Sequence, residues 1–278
     1  GLDLGLFNNR LRITTDYYKK KTTDLLYSVA VPATSGYQTM LKNIGSIENQ
    51  GYELSIESDN LTGPFSWTTA FNISFNRNKV LELGGEDYKE MAEGDGHIKT
   101  GSVRRLIAGE PIGVFYGYRF DGIFQNEEEC KQQTSSASPI GVGLRRYKDL
   151  NGDGKVDAAN DREILGDANP KFFGGLTNTF AYKGFELNVF LQYSYGNKIL
   201  NYNAMELENP TGGQNAYADM VNRWTPENPS NIYPKATTNR AILASDRFIE
   251  DGSYFYNFII FYYIFNTTII CTCGFSII

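Results

Sequence analysis

The feature that most constrains this sequence is a pair of long alternating segments on either side of Lys183 and Gly184. Side chains point to opposite faces along a β-strand, so alternation of apolar and polar residues predicts a strand with one apolar face. The alternation lasts about ten residues per segment, whereas strands of soluble proteins usually have about five or six. A strand that crosses a bilayer at a tilt needs about nine to eleven. The apolar positions are Phe172, Leu176, Phe180 and Tyr182, followed by Phe185, Leu187, Val189, Leu191, Tyr193 and Tyr195. The pattern therefore predicts a hairpin whose apolar face meets lipid and whose small and polar face, interrupted by Phe190, lines a watery lumen.

Two more hairpins with the same period precede this one. The first runs from Leu2 to Tyr18, and the second runs from Gln50 to Asn76. Long segments with glycine and proline follow each hairpin, at 22–48, 83–111 and 201–246, the last with short helices expected near 205–207 and 217–224. Short turns that alternate with long loops are typical of transmembrane barrels. The predicted fold class is therefore all-β, an antiparallel transmembrane β-barrel.

The composition agrees with a barrel and excludes other classes. A hydrophobic content of 41% with mean hydropathy −0.37 is too low for a membrane bundle of helices. Nucleic-acid binding is not expected, because the net charge is −6 and such proteins need a basic face. The three cysteines, Cys130, Cys271 and Cys273, form no recognisable disulfide framework. The sequence opens on Gly1 in strand-like alternation without a signal peptide, so we expect it to be a piece of a longer exported protein.

Several motifs make the sequence similar to a known family. They are NNRLRITTDYYKKKTTDLL (8–26), KNIGSIENQGYELSI (42–56), GEPIGVFYGYRFDGIFQ (109–125), the stretch 149–199 that opens DLNGDGKVD, RWTPENP (223–229) and DRFIEDGSY (246–254). Together they resemble the C-terminal barrel of SusC/RagA-type TonB-linked outer-membrane receptors. The resemblance covers residues 1–254 in order.

The resemblance implies a function as well as a fold. It implies a 22-stranded barrel of the outer membrane of a Gram-negative cell, of which this chain holds an arc of about seven or eight strands. It also implies a receptor, not an enzyme, that imports glycans or peptides with a SusD-like lipoprotein partner and is powered through TonB. The plug, the TonB-contacting segment, the early strands and the last strands of the family are not recognised in this sequence. We therefore expect the isolated fragment to transport nothing and to aggregate through its open strand edges.

A calcium loop is the sharpest chemical motif in the sequence. Oxygen ligands at positions one, three and five, a glycine at six and an aspartate at nine fit a Ca²⁺-binding loop. The bidentate acid expected at position twelve is displaced, since Asn160 occupies that position. The alternative is an Asp/Asn/Gly turn without a metal. The candidate ligands are Asp149, Asn151, Asp153, the carbonyl of Lys155, Asp157 and Asp161.

Two other functions are compatible with parts of the sequence. One is a secreted carbohydrate-binding β-sandwich with a calcium loop, and another is a passive porin. No catalytic arrangement is proposed, and the single histidine, His97, is expected on a loop surface. Four loop aromatics could stack on sugars, although packing within the loops is the more ordinary role for each of them: Tyr27, Tyr37, Tyr88 and Trp224.

The composition changes abruptly at residue 255. Residues 255–278 carry no charge, lack clear alternation and are rich in Phe, Tyr, Ile, Asn and Thr. Such a run approaches the length of a transmembrane helix, but aromatic and β-branched residues are poor helix formers. These residue types have A/T-rich codons, which an out-of-frame reading would produce. We predict two parts: residues 1–254 as receptor barrel and residues 255–278 as an apolar tail that is not native receptor sequence.

Overall fold

The computed structural model describes residues 1–30, 39–91, 102–208, 215–237, 242–265 and 268–277. The chain divides into two compact units. Unit 1 comprises Gly1–Glu86, Asn169–Asn197 and Asp251–Ile278, and unit 2 comprises Asp87–Ala168 and Lys198–Glu250. Among the described residues, every helix is too short or too polar to cross a membrane.

Strands dominate the described part of the chain. Its eighteen strands are β1 (Leu2–Leu6), β2 (Leu11–Ala30), β3 (Thr39–Leu61), β4 (Phe65–Leu83), β5 (Tyr88–Glu90), β6 (Arg104–Ile107), β7 (Val114–Gly117), β8 (Phe120–Ile123), β9 (Thr134–Ser135), β10 (Arg145–Tyr147), β11 (Lys155–Val156), β12 (Glu163–Gly166), β13 (Phe172–Tyr182), β14 (Phe185–Tyr195), β15 (Lys198–Leu200), β16 (Ile249–Asp251), β17 (Tyr254–Phe265) and β18 (Thr268–Ile277). Its α-helices are α1 (Glu127–Gln132) and α2 (Tyr202–Leu207), with 3-10 turns at Ala218–Asn222 and Asp246–Phe248.

Unit 1 is one sheet of eight strands within the described residues, in the order β1-β2-β3-β4-β13-β14-β17-β18. Every neighbouring pair is antiparallel. Strands that are consecutive within unit 1 therefore pair with each other, and the segments of unit 2 leave the sheet between β4 and β13 and between β14 and β17. This is the predicted arc, an open sheet whose outer strands are β1 and β18.

Tight turns at one end of the sheet set the register. Tyr182 pairs with Phe185, which leaves Lys183 and Gly184 as a two-residue turn with φ of 47° and 85°. Both central residues of a type I′ turn need positive φ, and glycine adopts it without strain. Because a slip of one residue would move every side chain to the other face, this turn fixes which residues meet across β13 and β14.

β2 and β3 are longer than the sequence predicted. The sequence predicts a loop at 22–48, but β2 continues to Ala30 and β3 begins at Thr39. The pairing continues because Thr22 lies opposite Ile47 and both are β-branched residues that favour strands. A register shift then occurs near Asp24, whose φ is 59°. A left-handed residue at such a shift accommodates an irregularity without ending the pairing.

Unit 2 combines small sheets with three separate apolar clusters. Its largest sheet has the order β12-β7-β6-β5, and β8 pairs with β10, β9 with β11, and β15 with β16. The expected short helices are confirmed by α2 and by the 3-10 turn at Ala218–Asn222. The clusters are built on Val103, Phe115, Leu165 and Ala244; on Ala204, Met205, Ile242 and Phe248; and on Tyr118, Tyr147 and Val156.

The described part of the apolar tail forms strands and not a helix. β17 pairs with β14 along ten positions, from Tyr254 opposite Ser194 to Tyr263 opposite Phe185. These residues form strands because β-branched and aromatic side chains favour a strand over a helix. Whether residues 255–278 are native receptor sequence stays a prediction.

Candidate functional site

The register divides the sheet of unit 1 into two faces. Directly paired residues share a face, so each face can be followed from strand to strand. We call one the aromatic face: Leu11, Ile13, Tyr17, Tyr52, Leu54, Ile56, Phe65, Trp67, Phe71, Ile73, Phe75, Phe172, Leu176, Phe180, Tyr182, Phe185, Leu187, Val189, Leu191, Tyr193 and Tyr195. We call the other the polar face: Arg12, Thr14, Asp16, Glu53, Ser55, Glu57, Thr68, Asn72, Ser74, Thr177, Thr179, Glu186, Asn188 and Gln192. The faces predicted from β13 and β14 are confirmed by this register.

Aromatic side chains gather at the two ends of the aromatic face. At the end near the short turns, Trp67 stacks on Phe180 with ring centroids 5.6 Å apart. At the other end, Phe172 stacks on Tyr195 at 5.2 Å and lies 5.9 Å from Phe75. We call these the turn-side band (Phe65, Trp67, Phe180, Tyr182 and Phe185) and the loop-side band (Tyr17, Tyr52, Phe75, Phe172, Tyr193 and Tyr195).

The distance between the bands fits a bilayer. Ten residue steps separate Phe65 from Phe75, which is about 34 Å along a strand. At the usual tilt of about 35–45° this corresponds to a height of about 25 Å, the height of the apolar band of outer-membrane barrels. Aliphatic residues such as Ile73 and Leu191 occupy the space between. The arrangement is that of a lipid-facing surface bounded by two interfacial girdles.

A small polar cluster interrupts the aromatic face near the turn-side band. The Asn178 amide oxygen accepts hydrogen bonds from the Trp67 indole at 2.9 Å and from the Thr69 hydroxyl at 2.7 Å. Asn60 donates to Thr69 at 2.7 Å, and Ser58 donates to Asn60. A polar group without a partner is costly in lipid. These side chains bind each other across β3, β4 and β13, so the Trp67 indole and the Thr69 hydroxyl have a partner within the protein.

The polar face carries a shallow groove with exposed aromatic rings. Phe173 and Phe190 are 43% and 37% exposed and flank Gly175, where an added Cβ would meet the Phe190 ring at 3.2 Å. Asn72 and Gln192 supply amide groups beside them. The sequence identified Phe190 as an exception to the alternation, but it did not show that Phe173 and a glycine floor lie beside it.

The predicted calcium loop is closed by hydrogen bonds from its own backbone. The Asp149 carboxylate accepts from the amides of Gly152 and Gly154, each at 2.7 Å. Asp161 is fully buried and accepts from the amides of Leu150 at 2.8 Å and Asp157 at 2.7 Å. The loop is therefore ordered around its acidic residues, and Asp161 joins its two ends.

The remaining candidate ligands also bond to neighbouring groups. Asp153 accepts from the Lys155 amide at 2.8 Å, and the Asn151 amide donates to Asp153 at 3.0 Å. The amide of Asn160, then Lys155 and the amide of Ala159, hold the pKa of Asp157 below its usual range. The donor oxygens suit Ca²⁺, but no three acidic, histidine or cysteine side chains in the described part of the chain converge on one point. Calcium binding therefore stays a prediction, to be tested directly.

An arginine lies between two aromatic rings in unit 2. The Arg105 guanidinium is 3.9 Å from the centre of the Tyr88 ring and 3.7 Å from that of Tyr116. It is 5% exposed and donates a hydrogen bond to Glu90. Partial burial raises the pKa of Glu90, but the hydrogen bond from Arg105 and the charges of Arg105 and Arg162 outweigh it and hold the pKa below its usual range. This stack joins β5, β6 and β7.

The loop aromatics proposed for sugar stacking have structural roles where they are described. Tyr88 packs under Arg105, and the Trp224 indole donates to Gln125 at 3.0 Å. Tyr37 and His97 lie outside the described residues, as does the side chain of Tyr27.

Comparison with known proteins decides the family. The model of the family described as "TonB dependent receptor-like, beta-barrel" matches residues 1–157, more than half of the chain. This chain belongs to the TonB-dependent receptor β-barrel family. The outer membrane is the location of the family, so the predicted location and the barrel fold are both confirmed. The β-sandwich alternative is wrong, because the long strands pair in one sheet of a receptor barrel.

Individual relatives agree with the family. The chain is 40% identical over 255 residues, 91% of its length, to TonB-dependent receptor P3 of Formosa agariphila. It is 31% identical over 205 residues, 72% of its length, to TonB-dependent receptor SusC of Bacteroides thetaiotaomicron. The structure of the RagAB peptide importer in its open-open state is similar to this chain, with a TM-score of 0.70 and 22% sequence identity. The match covers 93% of this chain and 27% of the chain in that structure. The chain spans 25% of the length of the first of these curated relatives and 19% of the second.

Proposed function

We propose that this chain is part of the wall of an outer-membrane receptor that imports glycans or peptides, together with a SusD-like lipoprotein and with energy supplied through TonB. The observation that carries the proposal is the division of the sheet into an aromatic face of bilayer height and a polar face. A wall with lipid on one side needs a polar opposite face only where it lines water. The receptor SusC and the RagAB peptide importer are among the similar proteins, and the name of the second supports import of a peptide.

The groove on the polar face is the part of unit 1 that suits such a cargo. Exposed Phe173 and Phe190 offer flat apolar surfaces, and Asn72 and Gln192 offer amide donors and acceptors. Binding sites commonly combine apolar walls with a few polar groups that fix orientation. Sugar rings and extended peptides both present apolar patches flanked by hydroxyl or amide groups, so the groove is compatible with either class.

Unit 2 is the candidate for contacts outside the membrane. Its two segments connect β4 with β13 and β14 with β17, at the strand ends opposite the short turns. Long loops of outer-membrane barrels lie on the extracellular side. We propose that unit 2 lies outside the cell and carries the surface that meets the lipoprotein.

Uptake through the complete receptor tests the role of the groove. Phe190→Ala should lower the uptake rate of the cargo severalfold, because it removes a ring from the lumen wall. Leu191→Ala is the matched control, since it changes the adjacent residue on the aromatic face and should leave uptake unchanged. Defined glycans and defined peptides are supplied separately, so that the class that is transported identifies the cargo.

The outcomes separate the parts of the proposal. Equal uptake by both variants would contradict the lumen assignment of Phe190. Uptake of neither cargo class by the unaltered receptor would contradict the nutrient function itself. Purification of the receptor from its own membrane without a lipoprotein in stable association would contradict the proposed partner.

A further inference from the structure

Basic side chains continue the aromatic face beyond the loop-side band. The register aligns Lys19 with Gln50 and Arg77, and it aligns Lys21 with Glu48 and Lys79. These two rows follow directly after the row of Tyr17, Tyr52 and Phe75 on the same face. We call the basic patch the four cations Lys19, Lys21, Arg77 and Lys79.

The basic patch has a clear excess of positive charge. Lys19 pairs with Glu48 at 3.2 Å, and Arg77 donates to the Lys171 carbonyl at 2.9 Å. Lys21 and Lys79 are exposed and have no ion-pair partner among the described residues. The whole chain has more acidic than basic residues, 32 against 26. Within these two rows, four cations therefore face one carboxylate, which is a local departure from the average of the chain.

The depth of the basic patch matches the headgroup region. Two residue steps cover about 7 Å along a strand and less along the bilayer normal when the strand is tilted. The headgroup zone extends about 5–8 Å beyond each side of the hydrocarbon core. Lysine side chains also extend along apolar surface to place their charge at an interface. At the opposite end of the aromatic face, the described residues of β2, β3 and β4 form no comparable charged rows.

We propose that the basic patch binds the phosphate group of a lipid headgroup in the outer leaflet. A phosphate offers several charged acceptor oxygens to lysine and arginine donors. Its acyl chains would lie on the aliphatic part of the aromatic face, below Tyr17 and Phe75. The patch binds lipid and takes no part in cargo transport, so this inference does not depend on whether the cargo is a glycan or a peptide.

Lipid binding to the complete receptor in nanodiscs tests the patch. The probe is phosphatidic acid, which carries a phosphate monoester, titrated into phosphatidylcholine nanodiscs and followed by native mass spectrometry. Each of Lys21→Gln and Lys79→Gln should weaken phosphatidic acid binding about fivefold. Lys20→Gln is the matched control, because Lys20 is adjacent in β2 but lies on the polar face, and it should leave binding unchanged.

Three results would overturn the proposal. Unchanged binding in the Lys21→Gln/Lys79→Gln double variant would show that the patch does not hold the headgroup. Equal weakening by Lys20→Gln would show attraction by overall charge and not by this patch. Competition by millimolar inorganic phosphate as strong as that by phosphatidic acid would show a site for soluble anions and not for a lipid. Each variant is first checked for the folded barrel by its resistance to unfolding in detergent.

Discussion

Unit 1 and unit 2 place their large apolar side chains in opposite ways. In unit 1, Leu4, Tyr17 and Tyr195 are 43%, 65% and 51% exposed, and they belong to a continuous surface. In unit 2, Phe124, Met205 and Phe248 are no more than 1% exposed and most of the buried residues form small clusters. Burial of apolar surface away from water stabilises a water-soluble unit. A sheet whose partner is lipid satisfies the same requirement with its apolar side chains outward.

The two units also differ in how they treat polar groups. Between its two aromatic bands, unit 1 keeps charges on the polar face, and the aromatic face has one hydrogen-bonded polar cluster around Asn178 there. Unit 2 buries Arg105 between two rings and bonds it to Glu90. The difference shows that the exposure of a side chain stabilises or destabilises the protein according to whether lipid or water covers that surface. The same residue type is stabilising or costly depending on whether lipid or water covers it.

The largest expected effect comes from a charge on the aromatic face. Leu191→Arg places a cation near the middle of the bilayer and should lower the free energy of unfolding by about 2–4 kcal/mol. Gln192→Arg changes the adjacent residue on the polar face and should lower the free energy of unfolding much less. Urea unfolding of the complete receptor in lipid vesicles measures both. Equal losses would contradict the assignment of the two faces.

The next effect tests the buried cation of unit 2. Arg105→Ala removes two ring contacts and the partner of Glu90, and it should cost about 2–3 kcal/mol of local stability. Hydrogen exchange of residues 102–123 in the complete receptor measures the loss. Arg105→Lys keeps the charge but lacks the planar group that stacks on the rings. Its loss of local stability should therefore be smaller than that of Arg105→Ala. Unchanged exchange in Arg105→Ala would show that the stack is dispensable.

Calcium would add a stabilising effect confined to unit 2. We propose a weak extracellular site on the loop 149–161, with a Kd of about 10⁻³ M or somewhat below. At about 10 mM Ca²⁺ a Kd of 10⁻³ M corresponds to about 1.4 kcal/mol. Calorimetry of the complete receptor measures binding, and Asp153→Asn should weaken it. Absence of heat in the folded receptor would show that the loop is an Asp/Asn/Gly turn without a metal.

A smaller effect is expected from the polar cluster around Asn178 on the aromatic face. Asn178→Leu removes the shared acceptor of Trp67 and Thr69 and leaves both donors to find other partners in the membrane. We expect a loss of about 1 kcal/mol, similar to other hydrogen bonds within bilayers. Thr69→Val with Asn178→Leu removes the donor as well and should recover part of the loss. Additive losses would show that the two side chains act independently.

The smallest effect is a pH dependence in unit 2. The pKa of Glu90 is lowered in the folded protein, so its stabilisation is present above the pKa of about 4.3 of an unstructured glutamate. It is lost as the pH falls through the lowered pKa. Because Glu90 is partly exposed, the change should remain below about 1 kcal/mol. Glu90→Gln should remove this acid sensitivity from the exchange of β5 and β6, and a persistent pH dependence would assign it to another carboxylate.

The faces of the sheet could be predicted from the sequence because they depend on local rules. Alternation places Phe180 and Leu187 on one side of their strands, and the turn at Lys183 and Gly184 fixes how the two strands pair. The helix at Tyr202–Leu207 was predicted to within a few residues for the same local reasons. The end of β2 could not be predicted in this way, because strand pairing beyond residue 22 depends on the distant partner strand β3.

The sequence by itself determined the period, the turn positions and the family, and with them the barrel and its lipid-facing residues. Tertiary structure alone decided which side chains meet over long separations. Arg105 stacks on Tyr88 and Tyr116, and Asn178 bonds to Trp67 from 111 positions away. The tertiary structure also placed Lys21 and Lys79 on one face beside the loop-side band. The physical reason is that alternation acts within a strand and a tight turn sets the register only of the two strands that it joins. Neighbours across strands that are distant in sequence depend on pairing that no single segment encodes.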